Sequence, residues 1–116
     1  MRYTQMSEGH VQGDAAARKA RPIVRGCLDY FPDSLLAVSE CSQVGNNQHN
    51  PGEALHWSRG KSDDHADALL RHLIDRGKID ADGIRHSVKV AWRALAMLQI
   101  ELEAEREDNT DTSKAP

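Results

Sequence analysis

The chain has 116 residues and a formal net charge of −3, a size that suits one domain whose single core buries roughly 60–70% of the unfolded surface. Its slightly acidic balance gives no general pull toward nucleic acid or an anionic membrane. No run approaches the roughly 18 consecutive apolar residues of a membrane span, and the polar N-terminus lacks the apolar core of a signal peptide. The expectation is a cytoplasmic protein with neither membrane nor nucleic acid as partner.

Aromatic residues are few (Tyr3, Tyr30, Phe31, Trp57 and Trp92) and helix formers are many, so composition favours an all-α fold over a β fold. Residues 1–20 mix Gly, Gln, Ser and charge without a stable apolar period, which predicts a flexible N-terminal arm. Arg18, Lys19, Arg21 and Arg25 cluster at its end, either as a solvated segment or as a reach toward a phosphate-bearing ligand or a partner subunit. Cys27 and Cys41 fit no zinc or C-x-x-C spacing and read as small buried hydrophobes.

Phe31-Pro32-Asp33-Ser34 is a helix-start signal, and Leu35, Leu36, Val38, Cys41 and Val44 continue it to a stop at Gly45. Glu40 on this helix is either a surface charge or an isolated functional carboxylate. From Gly45 to Lys61 runs a long connection in which Pro51-Gly52 fits a type II turn. Such a connection is usually functional or disordered; because this one carries Trp57, Arg59 and Lys61 into a helix start, function is favoured, with a core plug as the other reading of Trp57.

Ser62 is placed to cap a second helix ending before Gly77, with Ala66, Leu69, Leu70 and Leu73 on its buried face. After the connector Lys78–Gly83, whose Asp80, Asp82 and Gly83 resemble a calcium loop without its closing glutamate or its roughly 12-residue frame, a third helix runs to about Glu107. Its apolar residues Ile84, Val88, Ala91, Leu95, Leu98 and Leu102 are spaced 4, 3, 4, 3 and 4 apart, the seam of a bundle helix. Residues 108–116 are polar and expected to be disordered. The result is an all-α domain over residues 21–107, a small bundle of three main helices. One long seam leaves surface to cover, so oligomerisation into a dimer or tetramer is expected to complete it.

Lys61-Ser62 at a helix start, preceded by Arg59 and Gly60, combines free N–H groups, a positive dipole end and cations, the recipe for holding phosphate. Asp64 and Asp67, three apart on one helix, can share a Mg²⁺ or Mn²⁺ ion, with Glu40 as a third oxygen ligand; alternatively the acids complement the dipole and pair with Arg71. His65, His72 and His86 lack the i, i+4 spacing of a helical zinc site. His72 and His86 read instead as hydrogen-bonding or proton-handling groups near a phosphate, or as satisfied histidines between helices. Lys89 and Arg93 extend from His86 as a ridge that faces either anionic oxygens or solvent.

Ala68-Leu69-Leu70-Arg71-His72-Leu73, followed by Asp82-Gly83-x-x-His86 and an Ala/Leu-rich helix, resembles a phage protein family, the dATP/dGTP diphosphohydrolase N-terminal domain. That family in turn looks like a relative of MazG-type all-α pyrophosphohydrolases. The resemblance covers about Arg21 to Glu103. It implies a phage-encoded enzyme, in the host cytoplasm, that uses Mg²⁺ to direct water onto the α-phosphate of a purine deoxynucleoside triphosphate. Mapped by position, Glu40, Asp64 and Asp67 hold metal, while Lys61, Arg71, His72, His86 and Lys89 meet the phosphates, with His72 and His86 as the catalytic pair. Arg59 and Arg93 join the substrate-binding set, and Asn50 and Trp57 contact base or sugar. The sequence departs from the MazG-type pattern, which pairs E-x-x-E on one helix with E-x-x-D on another; here the first helix has Glu40 alone. The alternative function is therefore a non-catalytic module that sequesters a nucleotide or regulates a partner.

Overall fold

The computed structural model describes residues 12–111, and these residues form four α-helices and no strand. In chain order they are α1 (Ala15–Lys19), α2 (Pro32–His49), α3 (His65–Ile74) and α4 (His86–Asp111), with a π-helical turn at Val24–Leu28 and a 3-10 turn at Arg59–Lys61. No helix among the described residues is long and apolar enough to cross a membrane. The chain divides into two compact units, one ending at Leu35 and the other beginning at Leu36.

In the first unit Asp14 caps α1 by accepting from the Ala17 N–H at 2.9 Å. Arg18 and Arg21 donate to the carbonyls of Gly13 and Ala17 at 3.0 and 3.2 Å, so two members of the basic cluster turn back on their own backbone. The Asp29 N–H reaches the Val24 carbonyl at 2.8 Å, five residues back, which defines the π turn. Most of the expected arm, residues 1–11, lies outside the described residues, and α1 occupies part of the remainder.

The second unit is organised by α3 packing on α4. Among the described residues its apolar core is Ala68, Ile84 and Ala96, all at most 4% exposed. The two alanines sit one on each helix and leave the backbones room to approach. Trp92 on α4 donates its indole N–H to the Ser42 hydroxyl on α2 at 2.8 Å, which ties the third helix in.

Helix limits differ from the sequence reading in three places. α2 passes through Gly45 to His49, because the turn after Gly45 carries Asn46, whose buried side chain needs helical backbone beneath it to meet the following loop. Pro51 then ends the helix by disfavouring α geometry at the residue before it; Gly52 has φ +82° and the Glu53 N–H bonds the Asn50 carbonyl at 3.0 Å, as a type II turn requires. α3 starts at His65 instead of Ser62, which is extended after the 3-10 turn. α4 continues to Asp111, so the first residues of the expected tail are helical.

The α4 seam is covered only over its first half. α3 has 10 residues and α4 has 26, lengths of about 15 and about 39 Å, so α3 cannot run along the whole seam, and Leu95, Leu98 and Leu102 stay 49, 49 and 47% exposed. Cys27 and Cys41, expected to be buried, are only half-buried.

Candidate functional site

α2, the loop after it, α3 and α4 border a cavity of about 670 Å³, within the roughly 300–1,000 Å³ usual for small-molecule sites. Asn46 builds one wall. It is 4% exposed, donates to the Glu53 carbonyl at 3.0 Å, and accepts from the Asn50 side chain at 3.3 Å and the His56 N–H at 3.4 Å. A single buried amide thus holds the loop and delivers Trp57 to the cavity.

Trp57 meets Trp92 edge to face, with ring centroids 5.9 Å apart. The Arg59 guanidinium lies 4.1 Å over the Trp57 ring and donates to both oxygens of Glu103 on α4 at 2.8 and 2.9 Å. That pairing, with a further bond from Gln99, holds the Glu103 carboxyl below its ordinary range. Nearby, Arg93 donates to His65 Nδ1 at 3.0 Å. Because arginine only donates, His65 Nδ1 is the acceptor, and His65 Nε2 is a buried atom without a hydrogen-bond partner among the described residues.

The cationic wall comes from Lys61, Lys89 and Arg93, with His72 beside them. Lys89 Nζ lies 2.7 Å from a carboxylate oxygen of both Asp80 and Asp82. Its hydrogen bond, seconded by the Ala81 N–H, lowers Asp80 to about 2. At Asp82 burial pushes upward, but the bonds from Lys89 and the Ile84 N–H outweigh it and the carboxyl is lowered. Lys89 is itself raised: burial opposes its charge, and the two carboxylates overcome that opposition.

The connector that carries these acids is a tight reversal. The Gly83 N–H bonds the Asp80 carbonyl at 2.9 Å, the His86 N–H bonds the Lys78 carbonyl at 3.0 Å, and Gly83 takes φ +84°, a conformation that favours glycine. This reversal sets His86 against His72, with the two Nδ1 atoms 2.9 Å apart. Burial, then the charges of Lys89 and His86, lower His72. Burial also raises the thiol of Cys41, another residue lining the cavity.

Of the residues singled out from the sequence, Asn50, Trp57, Lys61, His72, Lys89 and Arg93 line this cavity. His86 stands behind His72, and Arg59 reaches the site only through Trp57. The ridge of His86, Lys89 and Arg93 is 14, 18 and 25% exposed and turns inward, not to solvent. Glu40, Asp64, Asp67 and Arg71 do not line the cavity. Glu40 and Asp67 are exposed, and Asp64 accepts from Arg71 at 3.2 Å and lies 3.9 Å from Arg93, contacts that lower its carboxyl, Arg71 first.

A magnesium ion asks for several oxygen ligands at once, and within one chain Glu40, Asp64 and Asp67 do not supply them. Among the described residues the only carboxylate lining the cavity is Asp82, and Lys89 is already paired with it. Among the described residues the one group of three metal-capable side chains within 4.8 Å of one another is His72, Asp80 and His86.

Asn46, Trp92, Asp80 and Asp82 shape the site although none is among the candidate site residues the sequence offers. Trp92 follows Ala91 of the seam and sits three residues after Lys89 of the ridge, a signal of helical neighbourhood. Asp80 and Asp82 were visible only as a failed calcium loop, since nothing in their spacing points to Lys89.

An all-helical domain whose cavity joins tryptophans to lysine, arginine and histidine is the kind of site that accepts a planar, anionic molecule. The chain belongs to the family described as dATP/dGTP diphosphohydrolase, N-terminal, whose model matches residues 11–110. No curated protein and no solved structure matches it.

Proposed function

We propose that this domain takes a purine deoxynucleoside triphosphate, dGTP or dATP, into the cavity and hydrolyses it to the monophosphate and pyrophosphate. The observation that carries this reading is the shared wall: Trp57 and Trp92 offer aromatic surface to a base, while Lys61, Lys89 and Arg93 offer cations to phosphates beside His72. The family name supports the substrate and the bond cleaved. Water forms the new bond to the α-phosphorus, the α–β bridging bond breaks, and the electron pair leaves with pyrophosphate. His72, disfavoured as a cation by its burial, accepts a proton from that water, and His86 holds its ring. Asn50 contacts sugar or base.

The magnesium expected from the resemblance does not fit the carboxylates of one chain, so no step is assigned to it. A second copy of the chain covers Leu95, Leu98 and Leu102, giving a homo-oligomer. The same shortage of acids in the cavity favours one alternative, a module that binds the nucleotide and leaves it intact.

Incubation with dGTP and dATP in the presence of Mg²⁺ or Mn²⁺, followed by ³¹P NMR, separates the two. Pyrophosphate and monophosphate support hydrolysis. Tight binding with the nucleotide recovered whole selects the binding module, and neither binding nor turnover across the common triphosphates rejects both.

A further inference from the structure

We propose that His72, Asp80 and His86 form a binding site for a first-row transition-metal dication at the edge of the cavity. The three side chains come from α3, the connector and α4, and their donor atoms lie within 4.8 Å of one another. The two Nδ1 atoms are 2.9 Å apart. Two metal–nitrogen bonds of about 2.0–2.1 Å meeting at about a right angle span the same distance, so the spacing of the two nitrogens suits a shared cation once the rings turn toward it.

Asp80 supplies the third donor. Its Oδ1 stands 3.9 Å from His86 Nε2 and accepts the Ala81 N–H at 2.7 Å, while its Oδ2 is engaged by Lys89. The charges also suit a cation. Asp80 and Asp82 share the one ammonium of Lys89, so two carboxylates stand close to the ring pair with a single lysine between them. Imidazole nitrogen selects zinc, cobalt or nickel over magnesium, which prefers an all-oxygen shell. Three protein ligands leave a further coordination position, and His72 opens this one to the cavity. The site goes beyond the nucleotide reading and does not depend on it, because α3, the connector and α4 supply all three donors.

The test uses metal alone. The full chain, stripped with chelator and free of nucleotide, is titrated with Co²⁺ by calorimetry and visible absorption. The expected result is one Co²⁺ per chain, displaced by Zn²⁺ and not by excess Mg²⁺. Affinity falls about ten-fold or more in His72→Gln, His86→Gln and Asp80→Asn and is unchanged in Asp67→Asn. No uptake by the wild-type chain overturns the proposal, as does equal affinity in the two histidine variants. A thiolate charge-transfer band overturns it too, by assigning the ion to a cysteine such as Cys41. Should a variant fail to fold, ¹⁵N NMR of the wild-type histidines with Zn²⁺ decides: two rings must shift at Nδ1, and unmoved rings refute the site.

Discussion

Lys89 separates two carboxylates that would otherwise repel each other, and Lys89→Met should show it in their titration. The Asp80 carboxyl is held at about 2 against an ordinary 3.8; in the variant its NMR midpoint moves up toward the ordinary value. The linkage sign follows from the depressed value. This group's contribution to stability is complete above about pH 4 and is lost as pH falls through about 2. Thermal unfolding between those limits should therefore be steeper in pH for the wild-type chain than for Lys89→Met. Asn46 is the other decisive side chain. Asn46→Leu leaves the Glu53 carbonyl and the His56 N–H without their buried partner, a cost of about 1–3 kcal/mol in urea unfolding, and nucleotide affinity drops because Trp57 loses its support.

The loop between α2 and α3 is closed at its far end by Arg59 on Glu103. The Arg59 side chain is 49% exposed, so Glu103→Gln should cost under about 1 kcal/mol of stability. Its effect belongs to the loop: amide hydrogen exchange around Trp57 quickens while that of α3 and α4 does not change. In α2, Gly45 lies inside the helix, and a Cβ there would meet no atom within 4 Å. Gly45→Ala should then raise the melting temperature, by about 0.4–1 kcal/mol of stability, through a less flexible unfolded chain. The helices themselves were largely legible, since Pro32, the seam of α4 and the Pro51-Gly52 turn are local signals. Gly45 misled because a helix end was inferred from one residue, when the next one, Asn46, had a tertiary partner.

At the scale of the whole molecule the three buried apolar residues of the core are few, and the half-exposed Leu95, Leu98 and Leu102 form a stripe on α4. Analytical ultracentrifugation should find a dimer or larger species, and Leu98→Glu should convert it to monomer with helix content retained. A monomeric wild-type chain at micromolar concentration would exclude the oligomer. The candidate site divides along the same line of legibility. Asn50, Trp57, Lys61, His72, Lys89 and Arg93 were found as residue types suited to a nucleotide and do share a cavity. Glu40, Asp64 and Asp67 were grouped because helical spacing put two of them on one face, yet spacing says nothing of where that face points.

By itself the order of residues determined the helical class, the family and most of the cationic and aromatic groups, because periodicity, turn chemistry and short motifs act over neighbouring positions. Only the tertiary structure decided which of those groups meet. The reversal at Asp80–Gly83 folds α4 back onto α3, and that packing, not any local preference, sets His86 against His72 and brings Lys89 between two acids.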